Sequence, residues 1–150
     1  MRQSNKVINC MKFRFPSLSV NESSARSVVA AFSAQADPTT GELADIKCVV
    51  SEAVTNSIVH AYPDAIGEIY ISVQLLEGRA LKIEIKDKGK GIEDVAMART
   101  PLYTTSPETE RSGMGFTVME SFTDKMTVRS KPGKGTTVVL LKRLSERQKA

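Results

Sequence analysis

The spacing of apolar and polar residues changes several times along the chain, and each change marks an element. "MKFRFP" alternates about Phe13 and Phe15 and stops at Pro16, which predicts a short edge strand. Ser19 with Glu22 three positions on is a capping-box signature, predicting a helix to about Ala36 that Asp37 and Pro38 end. Thr39 with Glu42 repeats the signature, so a second helix should run from about Gly41 to His60 and stop at Pro63 and Asp64. Two alternating runs follow, Ile69 to Leu76 and Leu81 to Ile85, joined at Glu77 and Gly78 as a hairpin. "IEDVAMA" is at most a short helix. Residues 99–115 hold two prolines and no period, so they read as a functional lid or a disordered segment. A helix from Met114 or Gly115 to Phe122 comes next. "KMTVRS", the turn "KPGKG" and "TTVVLLKR" then make a closing hairpin, and residues 143–150 read as a polar tail.

This order, β-α-α-β-β-(lid)-α-β-β without internal repeats, is too segregated for a doubly wound sheet. It predicts one α+β domain over 1–150: a two-layer α/β sandwich with helices on one face of a mixed, mostly antiparallel sheet.

The second helix carries a further signal. Leu43, Ile46, Val50, Ala53, Val54 and Ser57 form one stripe at 100° per residue. Glu52, Asn56 and His60 recur at four-residue intervals on the opposite side. Val49 and Val59 flank them, so that side is no plain solvated face, and the polar groups are expected to line a pocket.

Composition narrows the classes. The 150 residues are 41% hydrophobic and 25% charged, which suits a folded domain with a real core. Two cysteines, Cys10 and Cys48, cannot build a secreted disulfide framework and read as reduced thiols of a cytoplasmic protein. No apolar run approaches the roughly 18 residues of a spanning helix, and "MRQSNKVINCMKFRF" lacks the apolar centre of a signal peptide, so no membrane association is expected. Net charge +4 and pI 9.1 favour anionic ligands slightly. Scattered charge and 5% aromatics disfavour a small basic nucleic-acid-binding protein.

Glycines cluster twice beside element boundaries: "DKGKGI", Asp87 to Ile92, directly after a strand, and "RSGMGF", Arg111 to Phe116, directly before a helix. Glycine lets backbone approach a ligand closely, and a helix start offers free N–H groups to phosphate. Each loop alone is equally a plain turn. Neither these nor "GKGT" at 133–136 has the two glycines and Lys-Ser/Thr of a P-loop, which excludes that class of NTPase.

The combination is more specific than its parts. A helix with Glu52 and Asn56, then Asp-x-Gly-x-Gly, then a lid ending in Gly-x-Gly, resembles the GHKL (Bergerat) superfamily of ATP-binding domains over about residues 40–142. The resemblance implies ATP or ADP and Mg²⁺ as cofactors. It makes Asn56 the metal ligand, a role one oxygen can fill because Mg²⁺ keeps waters and shares phosphate oxygens. It makes Glu52 the general base that accepts a proton from the attacking hydroxyl or water. Asp87 matches the residue receiving the adenine amino hydrogen bond, with Gly89 and Gly91 in its loop, and Gly113, Met114 and Gly115 match the phosphate loop. Thr55 and Thr136 are further candidates at the adenine end. His60 reads as a cap or packing residue. It is the chain's one histidine, which leaves no separate phosphoacceptor for a complete histidine kinase.

"NESSARSVVAAFSAQADPTTGELADIKCVVSEAVTNSIVHAY" and "ARTPLYTTSPETERSGMGFTVMESF" are similar to the family of sporulation anti-sigma-F serine kinases, a resemblance spanning about residues 12–143. It implies a homodimer that binds a sigma-F-like factor and phosphorylates a serine of an anti-anti-sigma protein. Arg26 then matches a partner-surface residue, which without the resemblance reads as an exposed helix charge. Arg111 matches a lid cation facing the γ-phosphate. Departures are Ala61 where a glycine is usual and Lys88 and Lys90, which read as solvated. The alternatives are a general-stress anti-sigma kinase, or a GHKL ATPase or signalling module without a sigma partner.

Overall fold

The alternating runs become strands, and their inward residues make one core. A computed structural model describes residues 6–100 and 115–145. Along it run β1 (Val7–Pro16), α1 (Val20–Ser33) with a 3₁₀ turn (Ala34–Ala36), and α2 (Thr40–Asn56) continuing into a π-helical turn (Ser57–Ala61). Then come β2 (Glu68–Leu76), β3 (Ala80–Asp87), α3 (Val95–Ala98), α4 (Gly115–Ser121), β4 (Lys125–Lys131) and β5 (Gly135–Arg143). The strands lie in the order β1-β2-β3-β5-β4, and every pairing is antiparallel. This is the two-layer α+β sandwich the sequence predicts. Residues 101–114, most of the lid segment, and the tail from 146 lie outside the described residues.

Ile69, Ile71 and Val73 of β2 and Leu81, Ile83 and Ile85 of β3 are almost wholly buried, as strict alternation requires. They meet Ile46, Val49, Val50 and Val54 of α2, each at 0% exposure. Every such side chain taken from water contributes roughly 1.5–3 kcal/mol. Val49 therefore belongs to the core rather than to a pocket wall, and the apolar arc of α2 is wider than the predicted stripe.

Three boundaries differ from expectation. β1 begins at Val7, earlier than its alternation suggests, because the ladder with β2 extends from Phe13↔Ile71 back to Val7↔Leu76 through a bulge. It is nonetheless an edge strand. The Ser19–Glu22 capping box does not form. Ser19 is itself helical (φ −59°, ψ −29°), its side chain caps nothing, and Glu22 lies 3.8 Å from Arg26 instead. At Thr39 the box forms fully: Glu42 N–H donates to Thr39 Oγ1 at 3.0 Å, and Thr39 N–H donates to Glu42 Oε1 at 2.9 Å. Thr39 has the extended ψ of 164° that a cap needs. Finally, the helix expected to reach His60 as a regular α-helix widens to π geometry at Ser57, which alters how residues beyond Asn56 stack on it.

Candidate functional site

Where α2 passes the end of β3, a cavity of 890 Å³ opens between the helix layer and the sheet. Ala53, Asn56, Ser57 and His60 form its helix side, Asp87, Thr136 and Val138 its floor, and Gly91 to Ala98 an outer wall. Gly115 and Phe116, at the start of α4, close the far side.

Asp87 anchors the floor. It is 4% exposed, a position where a carboxylate is costly unless its oxygens are satisfied. Oδ1 accepts from the N–H of Gly89 at 3.0 Å and of Thr136 at 3.1 Å, while Oδ2 accepts from the Ser57 hydroxyl at 3.1 Å. Burial pushes the carboxyl above its usual range, outweighing the opposing pull of the Gly89, Ser57 and Thr136 hydrogen bonds. A carboxylate has about four acceptor positions. Three are used, which leaves room for one more donor.

The wall opposite is built by close approach. A Cβ added to Gly115 would sit 3.1 Å from both amide atoms of Asn56 and 3.4 Å from Glu52 Oε2. The two polar side chains of α2 thus converge on the start of α4. Glu52 is half-buried beside this contact and does not itself line the cavity.

The first glycine loop has a structural reason that proximity to a ligand does not supply. Gly91 has φ +78°, and a Cβ there would lie 2.0 Å from the Lys131 carbonyl oxygen. Gly133 N–H donates to Lys90 O at 2.6 Å, and Lys90 N–H donates to Ala61 O at 3.1 Å. At Gly89 a Cβ would collide with Ala61. The "DKGKGI" loop is therefore clamped between the helix end and the turn of the closing hairpin. Gly135 (φ +87°) allows the same approach on the floor, 2.2 Å from Asp87 O to a Cβ position.

Of the residues singled out in the sequence, Asn56, Asp87, Gly91, Gly115 and Thr136 come together around the cavity. Thr55 is half-buried on α2 and outside the lining, and Gly89 serves the loop. Arg111, Gly113 and Met114 lie outside the described residues. Arg26 sits on α1 beside Glu22 and Ser23, away from the cavity lining. His60 lines the cavity, a placement beyond the cap or packing role expected of it. Lys88 is exposed with its ammonium 5.0 Å above the Tyr70 ring, and Lys90 is exposed at the cavity edge.

Sequence reasoning missed Ser57, assigned to the apolar stripe, and Ser130, whose hydroxyl donates to Gly135 O at 2.9 Å, lies 2.8 Å from Thr136 Oγ1 and accepts from Ile92 N–H at 2.7 Å. A hydroxyl inside an apolar stripe was the available signal, since buried polar groups find partners.

Comparison with known proteins agrees with this architecture. A family model for the histidine kinase-like ATPase domain matches residues 15–142. The anti-sigma F factor of Anoxybacillus flavithermus is 57% identical over 139 residues, 92% of this chain and 94% of the relative. That of Bacillus subtilis is 54% identical over the same coverage. The crystal structure of the RsbU and RsbW domains of a Mycobacterium tuberculosis protein superposes with a TM-score of 0.63 at 20% identity, covering 91% of this chain and 32% of that one. The SiaB–SiaC complex of Pseudomonas aeruginosa gives 0.61 at 11% identity, covering 91% of this chain and 90% of its counterpart. These two likenesses speak to fold. With a relative 57% identical along nearly its whole length and an ATPase-domain model spanning the sandwich, the chain belongs to the anti-sigma F factor family of histidine kinase-like ATPase domains.

Proposed function

We propose that this protein is a Mg-ATP-dependent protein-serine kinase that also holds a sporulation sigma factor and phosphorylates a serine of its anti-anti-sigma partner. The observation that carries the reading is one cavity lined by a buried, nearly satisfied carboxylate, Asp87, and by the Asn56 amide, with Glu52 beside that amide at Gly115. Asp87 keeps one acceptor position for an exocyclic amino group, which suits adenine. Asn56 offers an amide oxygen, a ligand type Mg²⁺ accepts alongside waters and phosphate oxygens. When bound, that ion neutralises charge on the phosphates and orients them. Glu52, one turn before Asn56, is the base that takes the proton from the attacking serine hydroxyl. Gly115 holds the chain close to both side chains, and Gly113, Met114 and Arg111 complete the phosphate end as the family motif implies. Arg26 belongs to the partner surface, and the active form is a homodimer. The names of the curated relatives support the sigma-factor half of the reading.

Incubation with γ-labelled ATP, a sigma-F-like factor and an anti-anti-sigma protein tests it. Label on a serine of the anti-anti-sigma protein, with nucleotide-dependent retention of the sigma factor, is expected. Free phosphate alone indicates an ATPase module without this partner. No nucleotide uptake removes the proposal.

A further inference from the structure

The positive charges that look scattered in the sequence converge once the sheet forms. On the face turned away from the helices and from Asp87, cross-strand register sets Arg14 beside Tyr70, Tyr70 beside Lys86, Lys86 beside Thr137 and Thr137 beside Arg129. Two rows over, beyond Glu84, Val139 and Thr127, Lys82 and Lys125 flank Leu141 from either side. Among the described strand positions of this face, the carboxylates are Glu68 and Glu84. Glu68 Oε2 already lies 3.8 Å from Arg14 and accepts the Tyr70 hydroxyl at 2.9 Å.

The face is not only charged. It holds a groove of 400 Å³ whose floor includes Leu76, Val139 and Leu141 and whose sides include Lys82, Lys125 and Arg129. Strands lie 4.7–4.9 Å apart and rise about 3.3 Å per residue. Lys82 and Lys125 are thus about 10 Å apart across the groove, and Lys125 and Arg129 about 13 Å along it.

We propose that this open sheet face is a docking surface for an acidic protein segment, with carboxylates about 10–13 Å apart around aliphatic side chains. An aliphatic floor within a cationic rim has the anatomy of a protein interface. Single-stranded nucleic acid would need aromatic platforms. The aromatic side chain on this face, Tyr70, already carries the Lys88 ammonium over its ring. Like charge opposes a second copy of the same face, because its cations outnumber Glu68 and Glu84. The surface is separate from the nucleotide cavity, so it does not depend on the kinase reading.

The test uses the full chain and a short fluorescein-labelled peptide of Glu, Leu and Ser in equal parts, followed by anisotropy at low and physiological salt. A Glu–Ser peptide and single-stranded and duplex DNA are the comparisons. The Glu–Leu–Ser peptide should bind most tightly, lose affinity with salt as exposed charge pairs do, and bind K82Q/K125Q/R129Q about tenfold or more weakly. Leu141→Ser should weaken it separately, and K125Q/R129Q on the edge strand stands in if the triple variant loses its circular dichroism. ATP uptake, measured alongside, should be unchanged in each folded variant. Absence of peptide binding, equal binding by the neutralised chain, equal binding of the Glu–Ser peptide, or tighter binding of DNA would each overturn the proposal.

Discussion

Replacing Ser57 by Ala removes one of three donors from the Asp87 carboxylate. Both residues are buried, at 6% and 4% exposure, and the bond is 3.1 Å. A hydrogen bond to a charged group contributes roughly 1.5–3 kcal/mol, and because Ser57 and Asp87 both line the cavity, a water entering there recovers only part of it. A loss of about 2 kcal/mol at neutral pH follows. For a chain of this size that lowers Tm by about 4–8 °C, or the urea midpoint by about 1 M. The pH dependence is the sharper signature. Burial holds the folded-state pKa of Asp87 above its ordinary value despite its hydrogen bonds. The folded chain therefore binds this proton at higher pH than the unfolded chain, and Asp87's contribution to stability falls as pH rises through that window. The Ser57 hydroxyl favours the ionised form, so its removal raises the folded pKa further. The deficit of Ser57→Ala should be small in acid, where Asp87 is protonated in both states, and grow toward neutrality. Urea unfolding of the nucleotide-free protein across an acid-to-neutral series measures it, and the same series on Asp87→Asn should show no such growth. A deficit that is equal at every pH, or absent at neutral pH, refutes the account.

Glu52→Ala should retain ATP binding by calorimetry while phosphotransfer to the anti-anti-sigma protein falls ~10²- to 10⁴-fold, and unchanged transfer removes Glu52 from the role of base. Asn56→Ala should weaken nucleotide binding in magnesium far more than in chelator, whereas an equal loss in both contradicts the metal assignment. Gly135→Ala combines positive φ with a Cβ 2.2 Å from Asp87 O and should cost about 2–5 kcal/mol by urea unfolding. Gly78→Ala, at φ +85° with open space around it, should cost about 1 kcal/mol, and equal costs would show that crowding at Asp87 is not what Gly135 relieves. Arg26→Ala should leave nucleotide affinity intact and weaken capture of a partner in pull-down, with intact binding of both partners counting against it.

The layered fold was legible because its signals are local. Strict alternation in "IYISVQLL" and "ALKIEIKD" decides which side chains enter the core, and the Thr39–Glu42 cap is written in two residues. Its false twin at Ser19 shows the limit of such signals. Capping needs an extended backbone, and the entry of chain from Pro16 leaves Ser19 already helical. The candidate site was legible at Asn56 and Asp87 and illegible in what holds them. Ser57 and Thr136 reach Asp87 from 30 and 49 positions away, and no period in the sequence joins them. The glycines were found, but close packing of the loop on the helix end explains Gly89, and its packing on the hairpin explains Gly91 and Gly135, with partners that only the folded chain brings near. Sequence reading likewise found no basic stripe, because Arg14, Lys82, Lys86, Lys125 and Arg129 of the open face sit on β1, β3 and β4, far apart along the chain.

The strand order carries a consequence for how the protein comes into being. β5 lies between β3 and β4, yet it is made after both. A nascent chain that has not yet delivered Gly135 to Arg143 leaves one side of β3 unpaired, gives β4 no neighbour, and lacks the Thr136 amide that anchors Asp87. Such an edge invites pairing with other chains. The cavity floor and the finished sheet therefore arise together, once Gly135 to Arg143 has been made, and a polypeptide stopped before Gly135 has neither.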